Sequence, residues 1–234
     1  KGKRYDIIKN IIDINQNIYT IIFCRTRRET NDISKKLIKD NYTAKVLNGD
    51  LSQNERDQVM RQFRAKNINI LVATDVASRG IDVNDLSHII NYNLPDDPEV
   101  YVHRSGRTGR AGKEGISIAL ISKQEYRRLK EIEKLSKISF KENEVPTDIE
   151  VFKSKIKLFT DKIINIPVPN EKEKDMFKDF YNKLNSFTKE EIIGKIISMN
   201  IENSNKTKIN IDNKKSDRNE MVHVDAQISK LIIN

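Results

Sequence analysis

The amino-acid sequence predicts an α/β fold built on a doubly wound parallel sheet, followed by a small all-α appendage. Three observations carry this. From residue 1 to about 142, short β-branched apolar runs alternate with helix-period stretches, as βα units do. One run, Ile68-Asn69-Ile70-Leu71-Val72-Ala73, is apolar almost throughout, the pattern of a strand covered on both faces. Past Pro146, three helix-start signals succeed one another with no strand between them.

The elements follow in chain order. The opening Lys1-Gly2-Lys3-Arg4-Tyr5 leads into a polar helix, and the lack of a starting Met points to a fragment. Strands are expected at 19–24, 44–47, 68–74, 88–91 and 116–121. Helices are expected at 27–39, with Ile33, Leu37 and Ile38 on one face, and at 53–64, after the capping box Ser52-x-x-Glu55. Another opens with Asp97 as its cap and Pro98 at its first position. In the appendage the start signals are Thr147-x-x-Glu150, Asn170-x-x-Glu173 and Thr188-x-x-Glu191. The first of these helices carries Ile149, Phe152, Ile156, Phe159 and Ile163 at spacings of three and four, a seam suited to another helix. The second offers Met176, Phe177, Phe180, Tyr181 and Leu184. Residues 203–219 are almost wholly polar and cannot bury enough apolar surface to order themselves. The expected organisation is a sheet domain at 1–142, a helical extension at 147–202, a polar linker at 203–225, and at 226–234 the first strand of a further domain.

Composition narrows the function. A chain of 234 residues with a formal charge of +9 favours a polyanionic partner, although the abundance of Lys, Asn and Ile throughout weakens charge as an argument by itself. Cys24 is the only cysteine, which excludes a disulfide framework and a thiolate zinc site and fits a reducing, cytoplasmic setting. No apolar run approaches the roughly 20 residues that span a bilayer, so no membrane partner is expected.

The chemistry concentrates in Tyr101-Val102-His103-Arg104-Ser105-Gly106-Arg107-Thr108-Gly109-Arg110-Ala111-Gly112. Arg107 and Arg110 lie one helical turn apart and so would face the same way, while Gly106 and Gly109 remove side chains that would hold another surface off. This suits a two-pronged phosphate clamp. An arginine presented from a neighbouring domain to a γ-phosphoryl group in transfer accelerates it roughly a thousand-fold or more. A solvated basic loop has no reason to interleave arginine and glycine in this way. Gln53 and Arg56 lie three apart at the start of a helix beside a glycine turn, where free N–H groups and the helix dipole favour a phosphate; a surface salt bridge from Arg56 is the plainer alternative. Thr74 and Asp75 end a buried strand, at the edge where open parallel sheets bind ligands.

The Tyr101 to Gly112 segment resembles motif VI of DEAD-box helicases. Three further segments resemble motifs of that family in its order. Ile21-Ile22-Phe23-Cys24-Arg25-Thr26 is similar to motif IV, and Gly49-Asp50-Leu51-Ser52-Gln53-Asn54-Glu55-Arg56 to the Gly-Asp and Gln-x-x-Arg stretch. Ala73-Thr74-Asp75-Val76-Ala77-Ser78-Arg79-Gly80-Ile81-Asp82 is similar to motif V. The resemblance spans residues 21–112 and implies a RecA-like domain of the P-loop NTPase-type helicase C-terminal class. The appendage resembles the helical extension of bacterial cold-shock helicases of the DeaD type. Carried over residue by residue, the resemblance implies that Gly49, Gln53, Arg56 and Thr74 touch RNA phosphates and that Asp82 holds the nucleotide ribose. It further implies that Arg107 and Arg110 act on the γ-phosphate of ATP, and that Arg79, His103 and Arg104 couple the cleft to the other domain. Asp82 as a turn cap remains the alternative.

Two departures from the family pattern stand out. Asn48 occupies a place where the family commonly has His, a change that should leave phosphate binding intact. No Gly-x-x-x-x-Gly-Lys-Ser/Thr loop and no Asp-Glu-Ala-Asp box occurs in the chain, and Gly112-Lys113 lacks the flanking residues of such a loop. ATP with Mg2+ would therefore be bound mainly by an N-terminal RecA-like domain of the same protein, and this chain alone should not turn over ATP. The expected partners are RNA, that N-terminal domain and, through 147–202, a second copy of the chain, unless the helices close on one another as an intramolecular bundle. A non-catalytic RNA-binding or scaffold module on the same fold is the alternative function. DNA unwinding is disfavoured by His103-Arg104, where a related helicase class resembles Gln-x-x-Gly-Arg.

Overall fold

The computed structural model describes residues 2–15, 17–78, 83, 85–109, 115–204 and 220–225. By contacts the chain divides into two units, one made of Lys1–Val145 with Lys215–Asn234 and the other of Pro146–Lys214.

The first unit is an α/β sheet domain. Five strands run parallel: β1 (Thr20–Phe23), β2 (Ala44–Leu47), β3 (Ile70–Ala73), β4 (His88–Asn91) and β5 (Ile116–Ser122). Their spatial order, β2-β3-β1-β4-β5, reverses direction about β1, which is the doubly wound arrangement. Every residue of β1, β3 and β4 is buried, because helices cover both faces, and this explains their near-continuous apolar runs. α1 (Gly2–Ile14) precedes β1, and after it come α2 (Arg27–Lys39), α3 (Gln53–Arg64), the single turn α4 (Asp75–Ser78), α5 (Pro98–Ser105) and, beyond β5, α6 (Tyr126–Ser136).

The local signals read from the sequence set the helix ends. Thr26 caps α2, Ser52 and Glu55 close a reciprocal capping box on α3, and Asp97 caps α5 with Pro98 at its first position. The Ser52 hydrogen bonds hold the Glu55 carboxyl below its usual range. The expected polar helix at the start is α1, and it is amphipathic instead: Tyr5, Ile7, Ile8, Ile11 and Ile12 are buried in the core with Ile33, Leu37 and Ile90. Its charges occupy the other face, which hides the stripe from a composition reading.

Two antiparallel strands extend the sheet. β6 (Phe140–Asn143) follows α6, and β7 (Glu220–Asp225) inserts between β5 and β6. β7 uses six residues of the stretch expected as linker. Its Met221-Val222-His223-Val224 run supplies strand-forming residues that the polar segment before it lacks. Residues 205–219 and the expected terminal strand at 226–234 lie outside the described residues.

The second unit is helical. α7 (Asp148–Asn165) begins at the Thr147–Glu150 capping box, α8 (Glu171–Met176) at the Asn170–Glu173 box and α10 (Lys189–Ser204) where Thr188 and Glu191 exchange the same hydrogen bonds. The single second helix expected from the sequence is two, because the chain breaks at Phe177 before α9 (Lys178–Leu184). Val151 is the only buried apolar residue among those described in this unit. Among the described residues no helix is long and apolar enough to cross a membrane.

Candidate RNA and nucleotide interface

The parallel register brings the loops after β1, β2, β3 and β4 to one end of the sheet. Leu47 pairs with Ala73, Phe23 with Ala73, and Phe23 with Asn91. Gly49, Gln53, Arg56 and Thr74 are therefore gathered at the carboxyl ends of β2 and β3, the edge where such sheets bind ligands. The backbone N–H of Thr74 donates to Leu47 O at 3.3 Å, which ties that strand end to its neighbour. Gln53 sits in the first turn of α3, its amide donating to Asp57 Oδ1 at 2.9 Å, and Arg56 lies one turn on, half-buried.

Asn48 fixes the glycine turn against α2. It is buried, and its Nδ2 donates to Thr30 Oγ1 at 2.9 Å and to Arg27 O at 3.3 Å, while its Oδ1 accepts from the Asp50 N–H at 2.9 Å. The small polar residue is thus a stitch between two helix starts, a role that sequence reasoning did not give it.

The second part of the site hangs from α5. Tyr101 Oη and Ser105 Oγ both meet the buried Ser117 hydroxyl, at 3.0 and 2.9 Å, which pins α5 to β5. The helix ends at Gly106, so the helical spacing expected for Arg107 and Arg110 does not hold at Arg107, which lies in the turn that follows. Gly109 has φ 68°, a left-handed conformation that favours glycine and cannot continue a helix. Thr108 hydrogen-bonds Leu86 O and so anchors this turn to the loop before β4. His103 is exposed and lines an open cleft of about 380 Å³ with Asp97, Pro98, Glu99, Val102, Leu135 and Ser136.

Arg104 is placed otherwise than a coupling residue at a domain surface would be. It is 3% exposed, and its guanidinium is engaged within the sheet unit. Nε and Nη2 form a bidentate pair with Asp75 at 2.6 and 2.7 Å, and Nη1 donates to Asn91 Oδ1 at 2.8 Å and Asn93 O at 3.0 Å. The planar cation also lies 4.8 Å from the Phe23 ring centroid. Burial of the charge is compensated on every side, and Arg104 joins α5 to the start of α4. The Asp75 partnership spans 29 positions, and nothing local in the sequence signals it.

Asp82, Arg79 and Arg110 lie outside the described residues. Among the described residues no group of three His, Cys, Asp or Glu converges as a metal site would.

The arrangement is that of a RecA-like helicase C-terminal domain, and residues 3–112 match the helicase conserved C-terminal domain family. The ATP-dependent RNA helicase CshA of Listeria monocytogenes is 35% identical over 210 residues, which cover 89% of this chain and 40% of that protein. A DEAD box protein of the hyperthermophile Methanococcus jannaschii is 46% identical with TM-score 0.55, covering 58% of this chain and 37% of its own. The C-terminal domain of the DEAD-box protein Dbp5 is 32% identical with the same TM-score of 0.55, and 79% of it is covered by 58% of this chain. The chain belongs to the DEAD-box helicases and carries their C-terminal RecA-like domain, of the cold-shock type. It spans well under half the length of the CshA relative.

Proposed function

We propose that this chain is the C-terminal half of an ATP-dependent RNA helicase, contributing RNA-backbone contacts and arginine fingers to RNA-stimulated ATP hydrolysis and local duplex opening. The observation that carries the reading is the gathering of Gly49, Gln53, Arg56 and Thr74 at one sheet edge, beside the start of a helix whose free N–H groups favour phosphate. On this reading the Arg107 turn, stapled to β5 through Ser117, presents its guanidinium to the γ-phosphate of ATP with Mg2+ held by an N-terminal RecA-like domain. Arg110 is the second finger, Asp82 holds the ribose, and Arg79 and His103 meet the other domain. Arg104 acts indirectly, by holding the Asp75 segment. Hydrolysis then requires both domains closed on RNA, and the chain alone is inactive.

The test is Arg107→Ala in the full-length protein. RNA-stimulated ATP hydrolysis should fall about a thousand-fold or more, with affinity for single-stranded RNA nearly unchanged. Unchanged hydrolysis would exclude the finger role. An unmutated protein that binds RNA but never hydrolyses ATP would instead fit a scaffold on the same fold.

The exposed apolar residues of α7 to α10, among them Ile149, Ile163, Phe180 and Ile193, favour a second proposal, that 147–202 associates with a second copy of the chain.

A further inference from the structure

Arg27 occupies the first turn of α2, directly after the Thr26 cap. The helix does not ask for it there, because the positive end of the helix dipole disfavours a cation. Its guanidinium rests instead on the glycine turn of the next βα unit. Cζ, Nε and Nη2 each stand 3.1 Å from the point a Cβ on Gly49 would occupy, so the group lies flat against that glycine. Nη1 donates to Asp50 Oδ1 at 3.1 Å. Both side chains are more than half exposed, at 64% and 51%, and an ion pair in such a setting contributes little stability. The juxtaposition is nonetheless built in, because Asn48 ties the Asp50 N–H to the Arg27 carbonyl and to Thr30.

We propose that Arg27 is a further phosphate contact on the RNA track and that Asp50 is its latch. Without RNA the Asp50 carboxylate keeps the guanidinium flat on Gly49. An incoming backbone phosphate takes the carboxylate's place, offering the same guanidinium a bidentate anionic partner. The exchange leaves the cation paired throughout, and the exposed pair opens at little cost. Gly49 seats the parked side chain closely, since a Cβ there would press on three atoms of it and push the guanidinium outward by a few tenths of an ångström. The inference rests on reading Gly49, Gln53 and Arg56 as RNA contacts.

The experiment is a double-mutant cycle in the full-length protein, with a fluorescent oligo-uridylate titrated at several salt concentrations. Asp50→Asn should tighten binding about three-fold. Arg27→Gln should weaken it by a similar factor and lower the log–log salt slope by about 0.7, the loss of one neutralised phosphate on a single strand. The double variant should match Arg27→Gln, because without the cation there is nothing to latch. An Asp50→Asn gain that persists undiminished in the Arg27→Gln background reflects relief of general repulsion and overturns the latch. An Arg27→Gln salt slope equal to that of the unmutated protein overturns the contact. Arg56→Gln separates the two possible failures. If it weakens RNA binding while Arg27→Gln does not, the latch alone falls; if neither variant does, the RNA track falls and the latch with it.

Discussion

In the sheet unit Phe63 and Leu37 are wholly buried, whereas in the helical unit Phe180 and Met176 are 60% and 80% exposed. Both units start their helices in the same way, with Ser52–Glu55 in one and Thr147–Glu150 in the other closing equivalent capping boxes. Both carry apolar residues at helical spacing. Caps and periodicity therefore define helices and their apolar faces, but they do not say what covers those faces. In the sheet unit the cover is the unit's own sheet. In the helical unit apolar residues of α8, α9 and α10 stay exposed, Met176, Phe180 and Ile193 among them.

Three measurements sharpen or break this contrast. The largest effect is expected for Phe63→Ala, which empties a site packed against Tyr19 at a ring separation of 4.5 Å. Denaturant unfolding should show a loss of about 3–5 kcal/mol, and a loss below about 1 kcal/mol would mean that the sheet core is as loose as the helical faces.

Next comes the acid sensitivity of His88, buried on β4 with its Nε2 lacking a partner among the described residues and its pKa pushed down to about 4 by burial. Between the usual 6.5 and that value the unfolded chain binds a proton that the folded one does not. Stability should therefore be full above pH 6.5 and decline as pH falls toward 4, by about 3 kcal/mol in total. His88→Leu should flatten that part of the pH profile, and an unaltered profile would remove His88 as its cause.

The smallest effect is expected for Phe180→Ala, about 0.5 kcal/mol or less on unfolding of the dilute monomer. The same substitution should shift the solution mass measured by light scattering toward the monomer. A large monomer destabilisation with no change in mass would show that the helices cover one another after all.

Much of the sheet unit was legible because its signals are local. The bounds 27–39, 53–64, 44–47 and 88–91 follow from cap residues and short β-branched runs, and the structure reproduces them. Long-range pairing was not legible. Arg104 is read from its motif alone as a residue coupling the cleft to another domain, and only Asp75, Asn91 and Asn93 brought alongside make it an interior group. The helical setting expected at Arg107 does not hold for a related reason, since α5 ends at Ser105 and Gly106 caps it. α1 was misread because lysines and aspartates dilute its isoleucine stripe, and the second appendage helix because the break at Phe177 has no proline or glycine to announce it. At the candidate site, the residues of the β2 and β3 loops were named from motif and spacing, whereas Arg27 was not, because its contact with Gly49 crosses from one βα unit to the next.

Gly109 and Gly115 carry a consequence for how this chain tolerates substitution. A Cβ on Gly115 would collide with Thr108 Oγ1 and the Gly109 backbone, so the two glycines meet main chain to main chain. Replacing Gly115 would force its own main chain away from that of Gly109, and a genetic screen would score it beside the arginines although it has no side chain to offer a substrate.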